Sequence, residues 1–191
     1  MKRLTILVVA ALTGLACQTS APLAPSPAPG GGATDLGDGV VISTTGGGRY
    51  NAGVIVEFSM SALQRADGTA MGEFHHKTEL GGLAVDVSGR VTCVAVDSAN
   101  GRAWIGGVVT ANRSEHPSFT GAINEVGRDV WFRVLDTGEG LDDPDRTTFL
   151  GFEGAAGIIT SAEYCEAKIW PNDPPNDRTS PLTAGNIQVR P

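Results

Sequence analysis

The densest run of groups able to do chemistry is Asp136-Thr137-Gly138-Glu139-Gly140-Leu141-Asp142-Asp143-Pro144-Asp145, in which five carboxylates share one short loop with two glycines. Hard cations such as Ca²⁺ take six to eight oxygen ligands, and a loop that turns sharply at glycine can supply several of them. Asp136, Glu139, Asp142, Asp143 and Asp145 are therefore a candidate Ca²⁺ site. The spacing is not that of an EF-hand, which places acidic or amide groups at alternate positions before a glycine and a distant glutamate. The alternative is a solvated loop between strands, with Asp136 bonding its own backbone to make a turn.

Other reactive groups form no constellation. His75 and His76 are adjacent, and adjacent residues on a strand face opposite ways, so they cannot chelate one ion together. His76 shares a face with Phe74 and is expected to be half-buried with one hydrogen bond, while His75 lies between Glu73 and Lys77 on a solvated face and His116 sits in a loop beside Pro117. Gly-x-Ser-x-Gly, His-Glu-x-x-His and Cys-x-x-Cys are all missing from the sequence. Glu57, Glu73 and Asp86 could form a glycosidase-type pair, but alternation puts each opposite its apolar neighbours, where solvent accounts for them. Trp104 and Trp131 offer a different chemistry. Their strands are apolar on both faces, so the two rings lie under a covering connection, 111–127 or 160–185, form an exposed aromatic platform for a saccharide or protein partner, or line a ligand-holding barrel lumen. No catalytic residue is assigned.

Three cysteines remain. Met1-Lys2-Arg3 is a short basic stretch, Leu4 to Leu12 is apolar and far too short to span a membrane as a helix, and Ala16-Cys17 follows. This order is similar to a bacterial lipoprotein signal, with residues 1–16 removed and Cys17 lipidated, although Gly14 stands where that signal usually has leucine. Ordinary cleavage is the alternative. Export implies an oxidising compartment, so Cys93 and Cys165 are expected to pair as a disulfide. A bridge closing so long a loop contributes roughly 4 kcal/mol by the chain-entropy model.

Residues 17–38 are rich in proline, alanine, serine and glycine without apolar periodicity, the composition of a tether. As a flexible coil, about twenty residues hold a domain roughly 25 Å from an anchor. The chain carries a formal net charge of −7, and its basic residues are scattered, which excludes a phosphate-neutralising patch and with it nucleic-acid binding.

Residues 39–191 must then position every group named above. Their pattern is alternation, with strands expected at Val40–Thr44 (ended by a Gly46-Gly47-Gly48 turn), Tyr50–Leu63, Met71–Leu80 and Leu83–Val87. The pivotal hairpin is Val91–Thr110, two β-branched runs around Ser98-Ala99-Asn100-Gly101-Arg102. Asp129–Asp136, Thr147–Phe152 and Asn186–Arg190 follow as strands. Thr160–Trp170 has capping-box spacing at Thr160 and Glu163, yet reads more as a strand or irregular segment than as a helix. Strands recurring at this spacing predict a single all-β domain, an antiparallel β-sandwich or a closed β-barrel.

In order, Gly46-Gly47-Gly48-Arg49, VTCVAV with GRAWIGGVV, VLDTGEG with Pro144-Asp145, and Gly185-Asn186-Ile187-Gln188-Val189 resemble a group of uncharacterised bacterial exported β-domains. The resemblance covers most of residues 46–190 and implies no activity. The sequence therefore leads to the expectation of a non-enzymatic cell-envelope lipoprotein or secreted domain with a binding or structural role, anchored to the membrane by lipid only and stabilised by Ca²⁺ if the acidic loop binds it. The alternative is an envelope enzyme acting on saccharide through acidic residues.

Overall fold

A computed structural model describes residues 39–139, 143–152, 160–171 and 178–191. Among these lie β1 (Val40–Asn51), β2 (Ile55–Arg65), β3 (Ala70–Leu80), β4 (Leu83–Asp97), β5 (Arg102–Asn112), β6 (Asp129–Leu135), β7 (Arg146–Thr147), β8 (Gly151–Phe152), β9 (Ser180–Arg190) and one helix, α1 (Ser161–Ala167). Every pairing is antiparallel, in the order β5-β4-β3-β2-β1-β9-β7-β6-β8, and β5 also pairs with β6. The fold is all-β. That last pairing closes a ring of hydrogen bonds, but the ring is not a clean barrel.

Two places break its regularity. The β7 stave is only two residues long. At the other corner, β3 and β4 stop pairing at Glu73–Arg90, while β4 runs on beside β5 as far as Asp97–Arg102. Residues 87–90 of β4 thus lie between β3 and β5, and the β4–β5 register shifts at Ser88/Gly89 and Val91/Cys93. A bulge of this kind inserts a residue, bends its strand and sharpens the local twist.

Local chemistry accounts for the turns. The Asn51 side chain accepts from Gly53 N (2.9 Å), and that of Asp67 accepts from Thr69 N (2.8 Å). Gly81 and Gly82 join β3 to β4 with φ of 56° and 83°, the left-handed pair a two-residue hairpin needs. The pivotal hairpin forms as the sequence predicts, although its turn includes a 3₁₀ segment, Ser98–Asn100.

Alternation sets the interior. Val56, Phe58, Met60 and Ala62 of β2 point inward to meet Phe74 of β3, Val85 and Val87 of β4, Ile105 and Val109 of β5, and Phe132 and Val134 of β6. The Gly46-Gly47-Gly48 run, expected to end the first strand, lies within β1 instead. A Cβ at Gly46 would stand 2.8 Å from Asn186 O, and one at Gly48 would stand 2.0 Å from Ala184 O, so glycine lets the β9 backbone come close. The expected strand Thr147–Phe152 is split into β7 and β8.

The segment expected to be strand or irregular at 160–170 contains α1. Thr160 Oγ1 accepts from Glu163 N (3.2 Å), and the Glu163 carboxylate accepts from Thr160 N (3.1 Å), which completes a capping box. Tyr164 and Cys165 are buried one helical face together, and Lys168 ends the helix in the left-handed region at φ 46°. Capping and tertiary burial outweigh the segment's weak periodicity.

Candidate functional site

Asp136 and Asp145, at the two ends of the acidic loop, bond β9. Asp145 is only 5% exposed. Its Oδ1 accepts from Thr137 N (3.0 Å) and Thr137 Oγ1 (3.2 Å), its Oδ2 accepts from Ile187 N (2.6 Å), and its carbonyl accepts from Leu182 N (2.7 Å). Asp136 accepts from Gly138 N (2.9 Å) with one oxygen and from Val189 N (2.8 Å) with the other. Strand β9 pairs with β7 only at Ser180 and Pro181. Beyond them, two carboxylates satisfy β9 amides that a longer neighbouring strand would otherwise have bonded. Charge-assisted bonds of this kind are stronger than neutral ones. The single Thr137 hydroxyl proton is shared between Asp145 Oδ1 and the Asp143 carbonyl.

Of the five predicted calcium ligands, four lie among the described residues. Asp136 and Asp145 face β9, Glu139 and Asp143 are exposed, and Asp142 lies outside the described residues. Among the described residues no group of three or more His, Cys, Asp or Glu side chains is placed to hold a metal.

Trp104 and Trp131 are covered, not displayed. They are 3% and 6% exposed, packed with Ala95, Tyr164 and Cys165 in a second apolar cluster on the outer face of β4, β5 and β6. Trp131 stacks on Tyr164 (5.6 Å between centroids, 21° between planes), while Trp104 meets Trp170 edge-on and donates from Nε1 to the Ile169 carbonyl at 2.9 Å. The exposed platform is thus replaced by the covered arrangement, with α1 and the residues just after it as the cover. Burial pushes the Tyr164 phenol up to about 12, opposed by the nearby Arg133.

A disulfide joins this cover to the sheet. Cys93 of β4 and Cys165 of α1 are bridged, with Cα atoms 6.2 Å apart across a separation of 72 positions. Gly106 makes the approach possible, since a Cβ there would lie 2.6 Å from Cys93 Sγ and 2.8 Å from Ser161 Cβ. Its neighbour Gly107 faces inward, where an added Cβ would meet the Arg90 carbonyl at 2.2 Å and the Phe74 ring at 3.0 Å. The glycine pair therefore marks both a ring contact and a bulge.

His76 is the most unusual group of the interior. It is 1% exposed, with centroid distances of 5.7 Å to Phe58, 6.4 Å to Phe74, 5.1 Å to Phe132 and 6.1 Å to Phe149. No group among the described residues hydrogen-bonds either ring nitrogen. The expected half-buried histidine with one hydrogen bond is corrected on both counts. Burial pushes its imidazole down to about 3, with His75 adding a smaller effect in the same direction. Outside, His75 Nε2 lies 2.9 Å from Asp86 Oδ1, and His116 Nδ1 accepts from Ser118 N at 3.2 Å. Glu57 pairs with Arg49 at the surface.

Arg102 and Arg133, which sequence reasoning missed, place their guanidinium carbons 4.9 Å and 5.1 Å from the centre of the Trp170 ring. Alternation does put Arg133 on the Trp131 side of β6. What it cannot reveal is that Trp170 arrives there from far along the chain. No protein-family model, no curated protein and no solved structure matches this sequence.

Proposed function

We propose that the chain is an exported cell-envelope protein, tethered to a membrane by a lipid on Cys17, whose β-domain has a binding or structural role and no catalytic one. One observation carries the reading of the domain: several of its chemistry-bearing side chains are engaged in holding the fold. Asp136 and Asp145 bond backbone amides, Trp104 and Trp131 lie beneath α1, and Asp86 faces His75. The case for export draws on the basic, apolar and small-residue order ahead of Cys17 and on the cystine, which persists in oxidising compartments.

Expression of the full chain in a bacterial host tests this. The mature protein should lack residues 1–16, carry acyl mass on Cys17 and partition with membranes, whereas Cys17→Ala should leave the membrane fraction. Recovery of a chain that keeps Met1 and stays in the cytosol overturns the proposal.

A further inference from the structure

We propose that the Cys93–Cys165 disulfide holds α1 as a releasable cover over the Trp104–Trp131 face, and that its reduction frees the cover while the β ring stays folded. The inference does not depend on where the chain resides.

The first support is the independence of the two apolar clusters. The inner cluster draws on β1 to β6, β8, β9 and Leu150, and includes no buried residue from 160–171. The outer cluster holds Ala95, Trp104, Trp131, Tyr164 and Cys165, with Cys93 and Trp170 against it. Removing the cover thus takes no side chain out of the interior.

The second is the weakness of α1 alone. A helix of seven residues is far below the roughly 12–15 at which isolated helices become even marginal. Its place is set by what it docks on. The polar ties among the described residues are local: Ser161 N donates to Asp129 Oδ1 at 2.8 Å, Thr92 and Ser161 hydroxyls lie 3.0 Å apart, Trp104 bonds the Ile169 carbonyl at 2.9 Å, Arg133 bonds the Tyr164 phenol, and Arg102 and Arg133 lie over the Trp170 ring. The covalent bond to β4 keeps these contacts at high effective concentration.

The third is access. Cys93 is partly exposed while Cys165 is buried, which makes Cys93 the more accessible residue of the pair. With a dithiol reductant, one thiolate bonds to Cys93 Sγ, the S–S bond breaks, and Cys165 leaves as a thiolate that takes a proton. The reductant's second thiol then displaces Cys93 and becomes part of the reductant's own disulfide. Two electrons and two protons end on the two cysteines. Release uncovers an indole strip on β5 and β6 beside Arg102 and Arg133.

All three tryptophans of the chain belong to the outer cluster, so indole emission reports on the cover and not on the interior. The test compares oxidised full-length protein with the same protein reduced by dithiothreitol, following tryptophan emission and amide hydrogen exchange. Reduction should shift emission to the red and speed exchange over Ser161–Ala167 by on the order of a hundredfold, with Val56, Phe58 and Ile105 still protected. A Cys93→Ser/Cys165→Ser variant should behave the same way without reductant. Unchanged α1 exchange after reduction verified by mass overturns the proposal. So does joint loss of protection in α1 and the inner strands, in either protein.

Discussion

At the residue scale, His76 decides how the fold meets acid. The interior holds it neutral until about pH 3, whereas in the unfolded chain it titrates near 6.5. Below about 6.5 the unfolded state therefore binds a proton that the native state does not. Stability from this residue is present in full above about 6.5 and is lost as pH falls toward 3, at up to roughly 1.4 kcal/mol per pH unit. Urea melts from pH 7 to pH 4 on the native chain and on His76→Phe should show the native curve falling away from the variant's as pH drops. Parallel curves would show that His76 is not the source. Gly106 makes a second prediction at this scale. Its hydrogen lies against Cys93 and Ser161, so Gly106→Ala overpacks the outer face and should cost about 1–3 kcal/mol in denaturant melts.

At the element scale, most of the strands were legible because one side of each faces the interior. Val56, Phe58 and Met60 alternate with Glu57 and Ser59, and the structure buries the first set. The hairpin around Asn100-Gly101 was equally plain. What could not be read were features set by distant partners. Gly46 to Gly48 resemble a turn until β9, some 140 positions later, is seen to lie against them. The helix α1 carried its capping signature at Thr160 and Glu163, but seven residues give too short a window for periodicity to decide. Thr160→Ala should remove that cap and cost about 1 kcal/mol, measured by chemical denaturation with tryptophan emission as probe. The carboxylate density of the acidic loop is visible in sequence, whereas the Ile187 and Val189 amides that engage Asp145 and Asp136 are not. Asp145→Asn keeps the shape but gives up charge-assisted acceptance from three donors, and should cost roughly 1–3 kcal/mol. Added Ca²⁺ should leave the melting temperature of the native chain where it was.

At the scale of the whole molecule, one closed ring carries two apolar clusters. Alternation fills its inside, and a cystine-bound helix covers part of its outside. The double-sided apolar character of β5 and β6 announced that second layer, but its identity depended on α1 and Trp170 folding back from far along the chain. The ring is held by few strand pairs where β9 runs past the end of β7 and is met by Asp145 and Asp136. Amide hydrogen exchange at Ile187 and Val189, without added metal, probes that join directly. Both amides should be as well protected in the native chain as those of the inner strands, and should lose that protection in Asp136→Asn/Asp145→Asn. Fast exchange of both amides in the native protein, or protection that arises only when Ca²⁺ is supplied, would contradict this.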